Sequence, residues 1–288
     1  DFQPSRTQKR VLKKAASLRR NAPGLMNVAY HPRLFHDGRD GALETQVWGP
    51  LLAPDEMANP SIGHVLDRLR DLPDYAGLFE AAFAGRAASA DTVGDALASY
   101  QRTLVAGDSP FDRYRYGGAS DALSAEEKSG HAIFTGKGRC AGCHLIGERD
   151  ALLSDFRYHN TGIGWLRSQE RAGIEIELAP GVSASMSAAV VRSIGAAPRI
   201  DLGRFEITRD PRERWAYKTP MLRNVAATAP YMHDGSLPTL EAVVEYYDRG
   251  GAGAPDQSPL IAALHLSATE KAALVAFLKA LSGRAGAP

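Results

Sequence analysis

Cys140-Ala141-Gly142-Cys143-His144 is the stretch from which the rest of this 288-residue sequence is best read. It has the form C-x-x-C-H, the signature of covalent c-type haem attachment. Two thiols one helical turn apart can form thioethers with the porphyrin vinyl groups, while the adjacent histidine places an imidazole nitrogen on the iron. The chain has two cysteines, both in this stretch, so a disulfide framework is excluded and the pair must be explained together. A thioredoxin-type redox pair calls for a surrounding βαβ pattern, which the sequence lacks. A zinc site calls for a fourth ligand and usually a second paired motif, and neither lies nearby. Haem c is therefore the cofactor expected at Cys140, Cys143 and His144. Covalent attachment is ordinarily completed outside the cytoplasmic membrane, so the expected location is periplasmic.

The flanks of the motif predict helices. Ser124-Ala125-Glu126-Glu127 is a capping box that opens a helix carrying Lys128 to Phe134 toward the cysteines. Ser267-Ala268-Thr269-Glu270 opens another, in which Leu274, Phe277, Leu278 and Leu281 recur at helical spacing. A helix before the motif and a helix closing the domain are what a cytochrome c fold provides. Ser61 to Leu72, Tyr75 to Phe83 and Thr92 to Leu104 also read as amphipathic helices, so the fold class expected is all-α. Residues 167–209 read as a Gly-, Ser- and Ala-rich insertion without a strong period. His131, His159 and His265 read as surface or structural histidines.

Charged residues make up 23% and hydrophobic ones 44%, with a formal net charge of +1, values of an ordinary folded chain with no support for nucleic-acid binding. No run of about eighteen apolar residues occurs, so no membrane span is expected. Asp1 does not begin a signal peptide, so on the periplasmic reading a signal has been removed.

Sliding the sequence along itself exposes an ungapped repeat at an offset of 197 residues. Ala22-Pro23-Gly24-Leu25-Met26-Asn27-Val28-Ala29, running on to Phe35-His36-Asp37-Gly38, lies over Thr219-Pro220-Met221-Leu222-Arg223-Asn224-Val225-Ala226, running on to Met232-His233-Asp234-Gly235. Leu43-Glu44 then lies over Leu240-Glu241. Two cytochrome c-like domains related by internal duplication are expected, residues 1–118 and 119–288. Only the second copy shows its C-x-x-C-H, about seventy-five residues before Pro220. The first copy's motif either lies upstream of Asp1 or has been lost. The former is expected, because the residues that should surround a first haem are still present.

The chain at this point resembles the bacterial di-haem cytochrome c peroxidase and MauG family over nearly its whole length. The residues that carry the likeness are Asn21-Ala22-Pro23, Phe35-His36-Asp37-Gly38-Arg39, Leu43-Glu44-Thr45-Gln46, Gly49-Pro50-Leu51, Glu56-Met57, Cys140 to His144, Phe156 to Gly162, Lys218 to Asn224 and Ala229 to Gly235. The resemblance implies two haems, one with an open face that takes hydrogen peroxide and one six-coordinate. Gln46 and Glu56 fall on the distal pocket of the open haem, Glu56 as the acid/base that moves a proton between the peroxide oxygens. Taken alone, Glu56 would be a solvated loop carboxylate.

The sixth ligand of the second haem falls on Tyr247, where electron-accepting peroxidases carry methionine and MauG-like proteins tyrosine. A phenolate favours ferric and higher states, whereas a thioether favours ferrous iron. Tyr246 stays open as a fallback, since a one-residue shift turns a helix by about 100°. Taken alone, both tyrosines would be packing residues. The resemblance also implies a calcium ion held by oxygens of Asn21, Thr228 and Pro230.

The sequence departs from the family at His36, where most members have a tryptophan between the haems. Trp48 is a nearby substitute. A structural role shared by His36 and His233 is as well supported as a redox one. The implied function is a MauG-like oxidoreductase that uses hydrogen peroxide to oxidise a residue on a partner protein, in the branch associated with methanobactin gene clusters, which oxidises a tryptophan of a companion protein. The alternatives are a cytochrome c peroxidase fed by a small redox protein and a non-enzymatic mono-haem electron carrier.

Overall fold

The computed structural model describes residues 18–169, 174–179, 182–186 and 201–285. Helices dominate: α1 (Leu43–Gln46), α2 (Trp48–Leu52), α3 (Ile62–Asp71), α4 (Leu78–Ala82), α5 (Ala90–Thr103), α6 (Pro110–Arg115), α7 (Ala125–Thr135), α8 (Ile163–Gln169), α9 (Phe205–Thr208), α10 (Leu240–Asp248) and α11 (Ala268–Ala280). The all-α expectation needs correction, because three two-stranded antiparallel ladders accompany them. These are β1 (Ala106–Gly107) with β6 (Arg284–Ala285), β2 (Tyr158–Asn160) with β5 (Ala216–Lys218), and β3 (Ile174–Ala179) with β4 (Val182–Met186). The last is a hairpin inside the stretch expected to be without a period. Its Ile174-Glu175-Ile176-Glu177 alternation has the period of 2 that specifies a strand. Much of the remaining insertion, residues 187–200, lies outside the described residues.

The second half is built on the crossing of α7 and α11. Both expected capping boxes form: Ser124 Oγ accepts from the Glu127 amide while Glu127 accepts from Ser124 N, and Ser267 and Glu270 do the same. Gly130 lets the helices touch, for a Cβ built there would sit 2.0 Å from the Ala273 carbonyl oxygen. Around the crossing, Phe111, Phe134 and Phe277 are fully buried and meet edge to face, at 5.4 Å and 5.2 Å between ring centroids. Phe111 lies before residue 118, yet it packs in this second core. His131 lies among the Phe111 and Phe277 rings as a packing residue.

The first half has a much smaller core, with Val28, Leu34, Leu43 and Ala98 at its centre. Helix α5 starts at the Ser89 capping box and packs on α1. Helices α3 and α4 bury no residue, and Leu72, Tyr75 and Leu78 are exposed. The single helix expected from Tyr75 to Phe83 is broken: a 3-10 turn at Pro73–Tyr75 is followed by Gly77 at φ +73, and only then does α4 begin. Glycine at that left-handed position ends one turn and starts the next.

The repeated stretches share local backbone. Asn27 and Asn224 both adopt left-handed φ, 60° and 56°, at the head of 3-10 turns Val28–Tyr30 and Val225–Ala227. Each asparagine exchanges two hydrogen bonds through its side-chain amide, Asn27 with Ala106 and Asn224 with Gly283. Single bridges Leu34 to Asp40 and Tyr231 to Leu237 close the two following turns.

Candidate haem centre and its surroundings

The motif is delivered by α7. Beyond it the chain turns through Arg139 at φ 55° into a 3-10 turn at Cys140–Gly142, with the Cys143 and His144 amides both donating to the Cys140 carbonyl, at 3.2 Å and 2.9 Å. Cys140 and Ala141 lie against the α7/α11 core. His144 Nδ1–H donates to the Leu153 carbonyl at 2.7 Å. That bond orients the ring and leaves the Nε2 lone pair for a metal, the usual arrangement of a ligating histidine. Burial lowers the His144 pKa, which keeps the ring in its neutral, ligating form. Burial also pushes the Cys140 thiol up to about 12 and Cys143 up to about 11. Thiols held protonated are poor redox nucleophiles and poor thiolate ligands, whereas thioether formation leaves no buried charge.

Cys143, Asp155 and His159 lie within 4.8 Å of one another through their donor atoms, the one such trio among the described residues. His159 Nε2 pairs with Asp155 Oδ2 at 2.8 Å, so these two satisfy each other. Helix α10 presents the two tyrosines differently. Tyr246 Oη donates to the Thr161 carbonyl at 2.7 Å and borders a cleft of about 410 Å³ with Ile163, Leu166, Leu237 and Arg249. Tyr247 packs against the same core as Cys140, and its hydroxyl has no hydrogen-bond partner among the described residues. Burial pushes the Tyr247 phenol up, with Tyr246, Cys140 and Cys143 adding to the effect, so it is the tyrosine on the cysteine side. An unpartnered phenol beside both cysteines and a histidine with a free Nε2 fit a bound haem.

In the first half, Gln46 ends α1 and Glu56 sits in the turn after α2, where its amide donates to the Ala53 carbonyl. Glu56 is half-buried, and its pKa is raised by burial first and by Asp55 second, with Arg39 opposing. Arg39 stacks 3.4 Å above the centroid of the Phe35 ring and pairs with Asp37 at 3.1 Å. His36 is held by the Asn21 carbonyl at 2.9 Å from Nε2, and burial lowers its pKa to about 4, so it is a neutral donor.

Of the three oxygen ligands expected for calcium, two come together. Asn21 Nδ2 donates to the Pro230 carbonyl at 2.9 Å, across a chain separation of 209 residues. The two ends of an amide are interchangeable by a 180° turn, which would set Asn21 Oδ1 beside the Pro230 oxygen, an arrangement that wants a cation. The ligand expected at Thr228 is its main-chain oxygen, and its Oγ1 donates to the Val225 carbonyl. This donor set fits a hard, oxygen-seeking ion.

Sequence reasoning missed the groups that tie the halves together. Arg20 donates to both carboxylate oxygens of Asp201, at 2.6 Å and 2.7 Å, and to Asp37 at 2.6 Å. The Lys218 ammonium donates to His31 Nδ1 at 2.6 Å and to the Arg33 carbonyl. The Tyr217 ring stacks on His233, 3.6 Å between centroids and 13° from parallel. The one available signal was the repeat, which set His233 over His36.

Residues 2–120 match the family described as di-haem cytochrome c peroxidase, and residues 216–251 match the RoxA-like, cytochrome c-like family. The chain is 36% identical over 271 residues to the methylamine utilization protein MauG of Methylorubrum extorquens, covering 94% of this chain and 66% of that protein. It is 35% identical over 269 residues to the cytochrome-c peroxidase IdrP1 of Pseudomonas sp. strain SCT, covering 91% and 68%. Among solved structures, a MauG-like protein associated with microbial copper homeostasis shares 32% identity at a TM-score of 0.70, over 93% of this chain and 77% of that one. The diheme peroxidase BthA from Burkholderia thailandensis shares the fold, at 24% identity and a TM-score of 0.66 over 92% of this chain and 72% of that one. The chain belongs to the di-haem cytochrome c peroxidase and MauG family, whose members are haem c-containing oxidoreductases of peroxidase type. It spans about two thirds of the length of the curated relatives just named.

Proposed function

We propose that this chain is the larger part of a periplasmic di-haem oxidoreductase of MauG type that uses hydrogen peroxide and oxidises a residue on a partner protein. The observation that carries this reading is Tyr247, the unpartnered tyrosine on the cysteine side of α10. An oxygen ligand there stabilises oxidised iron and suits a centre that stores oxidising equivalents. When bound, the haems supply the redox chemistry of peroxide reduction.

The residues of the chain do the rest. Cys140 and Cys143 would anchor the second haem, and His144, oriented by the Leu153 carbonyl, and Tyr247 would be its iron ligands. Glu56, whose raised pKa makes it a better proton carrier near neutral pH, moves a proton between the peroxide oxygens. Gln46 offers an amide to the same pocket. The half-buried apolar face of α3 and the exposed Leu72, Tyr75 and Leu78, beside a core too small for the half that carries it, suit a first haem with its own attachment segment. Asn21, Thr228 and Pro230 would hold a calcium ion, and His36, bonded to the Asn21 carbonyl, is a structural donor at the seam. Within the family we favour the branch associated with methanobactin gene clusters, supported by the identity to a MauG-like protein linked to copper homeostasis.

The cytochrome-c peroxidase relatives favour a second reading, in which a small redox protein supplies the electrons. A haem count on the full-length protein, followed by a spectrum after stoichiometric peroxide, tests both. Two haems and a long-lived oxidised species support the MauG-like reading. Rapid consumption of a reduced cytochrome supports the peroxidase. One haem with no peroxide reaction leaves an electron carrier and removes the role given to Glu56.

A further inference from the structure

We propose that Tyr217 is a redox way-station between the two halves, giving up one electron and its phenolic proton to become a neutral radical during turnover. The inference rests on the peroxide-using reading above and names a residue that carries its oxidising equivalents.

Tyr217 lies in the middle of β5 and is 6% exposed, its ring stacked on His233 at 3.6 Å. Burial of this kind protects a radical from solvent and fixes the ring. Its hydroxyl donates to the Asp201 main-chain carbonyl at 3.4 Å, and the Asp201 carboxylate acts on the phenol electrostatically. Arg20 is the nearby cation, with its guanidinium carbon 5.7 Å from the ring centroid, but it is shared by Asp201 and Asp37. The carboxylates of Asp201 and, more weakly, Glu206 act on the phenol against the guanidinium of Arg20, and carboxylates beside a ring favour removal of an electron from it. Lys218 points to the opposite face of the strand, where its ammonium is engaged by His31 and Arg33.

Chain geometry puts Tyr217 on the route. The Lys218 amide donates to the His36 carbonyl at 2.8 Å, so β5 touches the first half. Three residues beyond Tyr217, Pro220 makes a main-chain contact with His144. Three extended residues span at most about 11 Å. His36 and His233, both neutral, are imidazoles, which are harder to oxidise than a phenol. Trp215 is close in sequence, but its Nε1–H is buried with no acceptor among the described residues, so its oxidation has no outlet for the proton.

In the forward step one electron passes from the Tyr217 ring to the haem-based oxidant that peroxide generates. The phenolic O–H bond breaks, and the proton goes to Asp201, because an oxidised phenol is a far stronger acid than a carboxylic acid. In the return step the partner substrate supplies one electron and the proton comes back to the phenolic oxygen. Two passages match the two electrons that one hydrogen peroxide takes up, with two protons, on becoming two waters.

The test is electron paramagnetic resonance of the holoenzyme freeze-quenched after stoichiometric peroxide, with the haem optical spectrum recorded on the same sample. The expected result is an organic radical signal that narrows when ring-deuterated tyrosine is incorporated, is lost in Tyr217→Phe and survives in Tyr158→Phe. The optical change with peroxide stays in every variant. A signal that persists in Tyr217→Phe, one indifferent to tyrosine deuteration as an indole radical would be, or oxidised haem with no organic radical overturns the inference while leaving the functional reading intact. Wild-type haem unchanged by peroxide overturns that reading, and this inference with it.

Discussion

Replacing Gly130 by alanine sets two effects of known sign against each other at the α7/α11 crossing. In a helix interior, alanine is favoured over glycine by about 1 kcal/mol. The new methyl, however, lies 2.0 Å from the Ala273 oxygen, 2.6 Å from its carbon and 2.7 Å from Phe277 Cβ, against 3.4 Å for ordinary contact. The helices must then part by roughly 1.4 Å (3.4 − 2.0) or distort, and gaps of that order forfeit much of the dispersion between facing rings. Overpacking costs about 1–3 kcal/mol, and two backbone atoms in the way place this site at or above the upper end. The net is a loss of about 2 kcal/mol, or a Tm lowered by about 4–8 °C for a chain of this size. Gly63 in α3 is the internal control, since a Cβ there meets only Ser61 Oγ at 3.6 Å. Gly63→Ala should raise stability by up to about 1 kcal/mol. Thermal unfolding of the holoprotein followed by far-ultraviolet circular dichroism measures both. A Gly130→Ala protein as stable as wild type would refute the close crossing.

Acid stability should be governed by imidazoles first. Burial, helped by Lys218 at His31, lowers His31 to about 3, and burial lowers His36 and His233 to about 4. The unfolded chain takes up these protons below about pH 6.5 while the folded one does not, so their contribution is complete above pH 6.5 and is lost as pH falls toward 4 and 3. The wild-type Tm should therefore begin to fall near pH 6.5, and His31→Gln should flatten that limb; an unchanged slope would count against the assignment. Tyr247→Phe should alter the ferric haem spectrum while Tyr246→Phe leaves it alone, and the reverse pattern would hand the ligand role to Tyr246. Glu56→Gln should slow the reaction with peroxide by about 10²–10⁴ at unchanged haem content, the usual worth of a positioned acid/base; an unaffected rate removes Glu56 from the mechanism. Calcium added after chelation should restore about 2.7 kcal/mol at a hundredfold excess over Kd, and Asn21→Ala should abolish that response in the same melting assay.

The C-x-x-C-H turn, the capping boxes at Ser124 and Ser267, and the helices α3, α5, α7 and α11 were legible because each is specified by residues within a few positions of one another. The repeat set Asn27 over Asn224, but the left-handed turns that they head came only with the structure. The hairpin β3–β4 was legible in its Ile-Glu alternation but was lost in the composition around it. The break at Gly77 likewise hid inside an apparently continuous apolar pattern. Sequence left Tyr246 open as a fallback to Tyr247, and only the rotation of α10 against a core made by other segments turns Tyr247 to the cysteine side. Tertiary structure alone joined Arg20 to Asp201, Lys218 to His31 and Asn21 to Pro230, pairs separated by 181, 187 and 209 residues. Such contacts leave no period in the sequence. They are fixed when burial removes water from polar groups and obliges each to take the nearest partner the fold supplies.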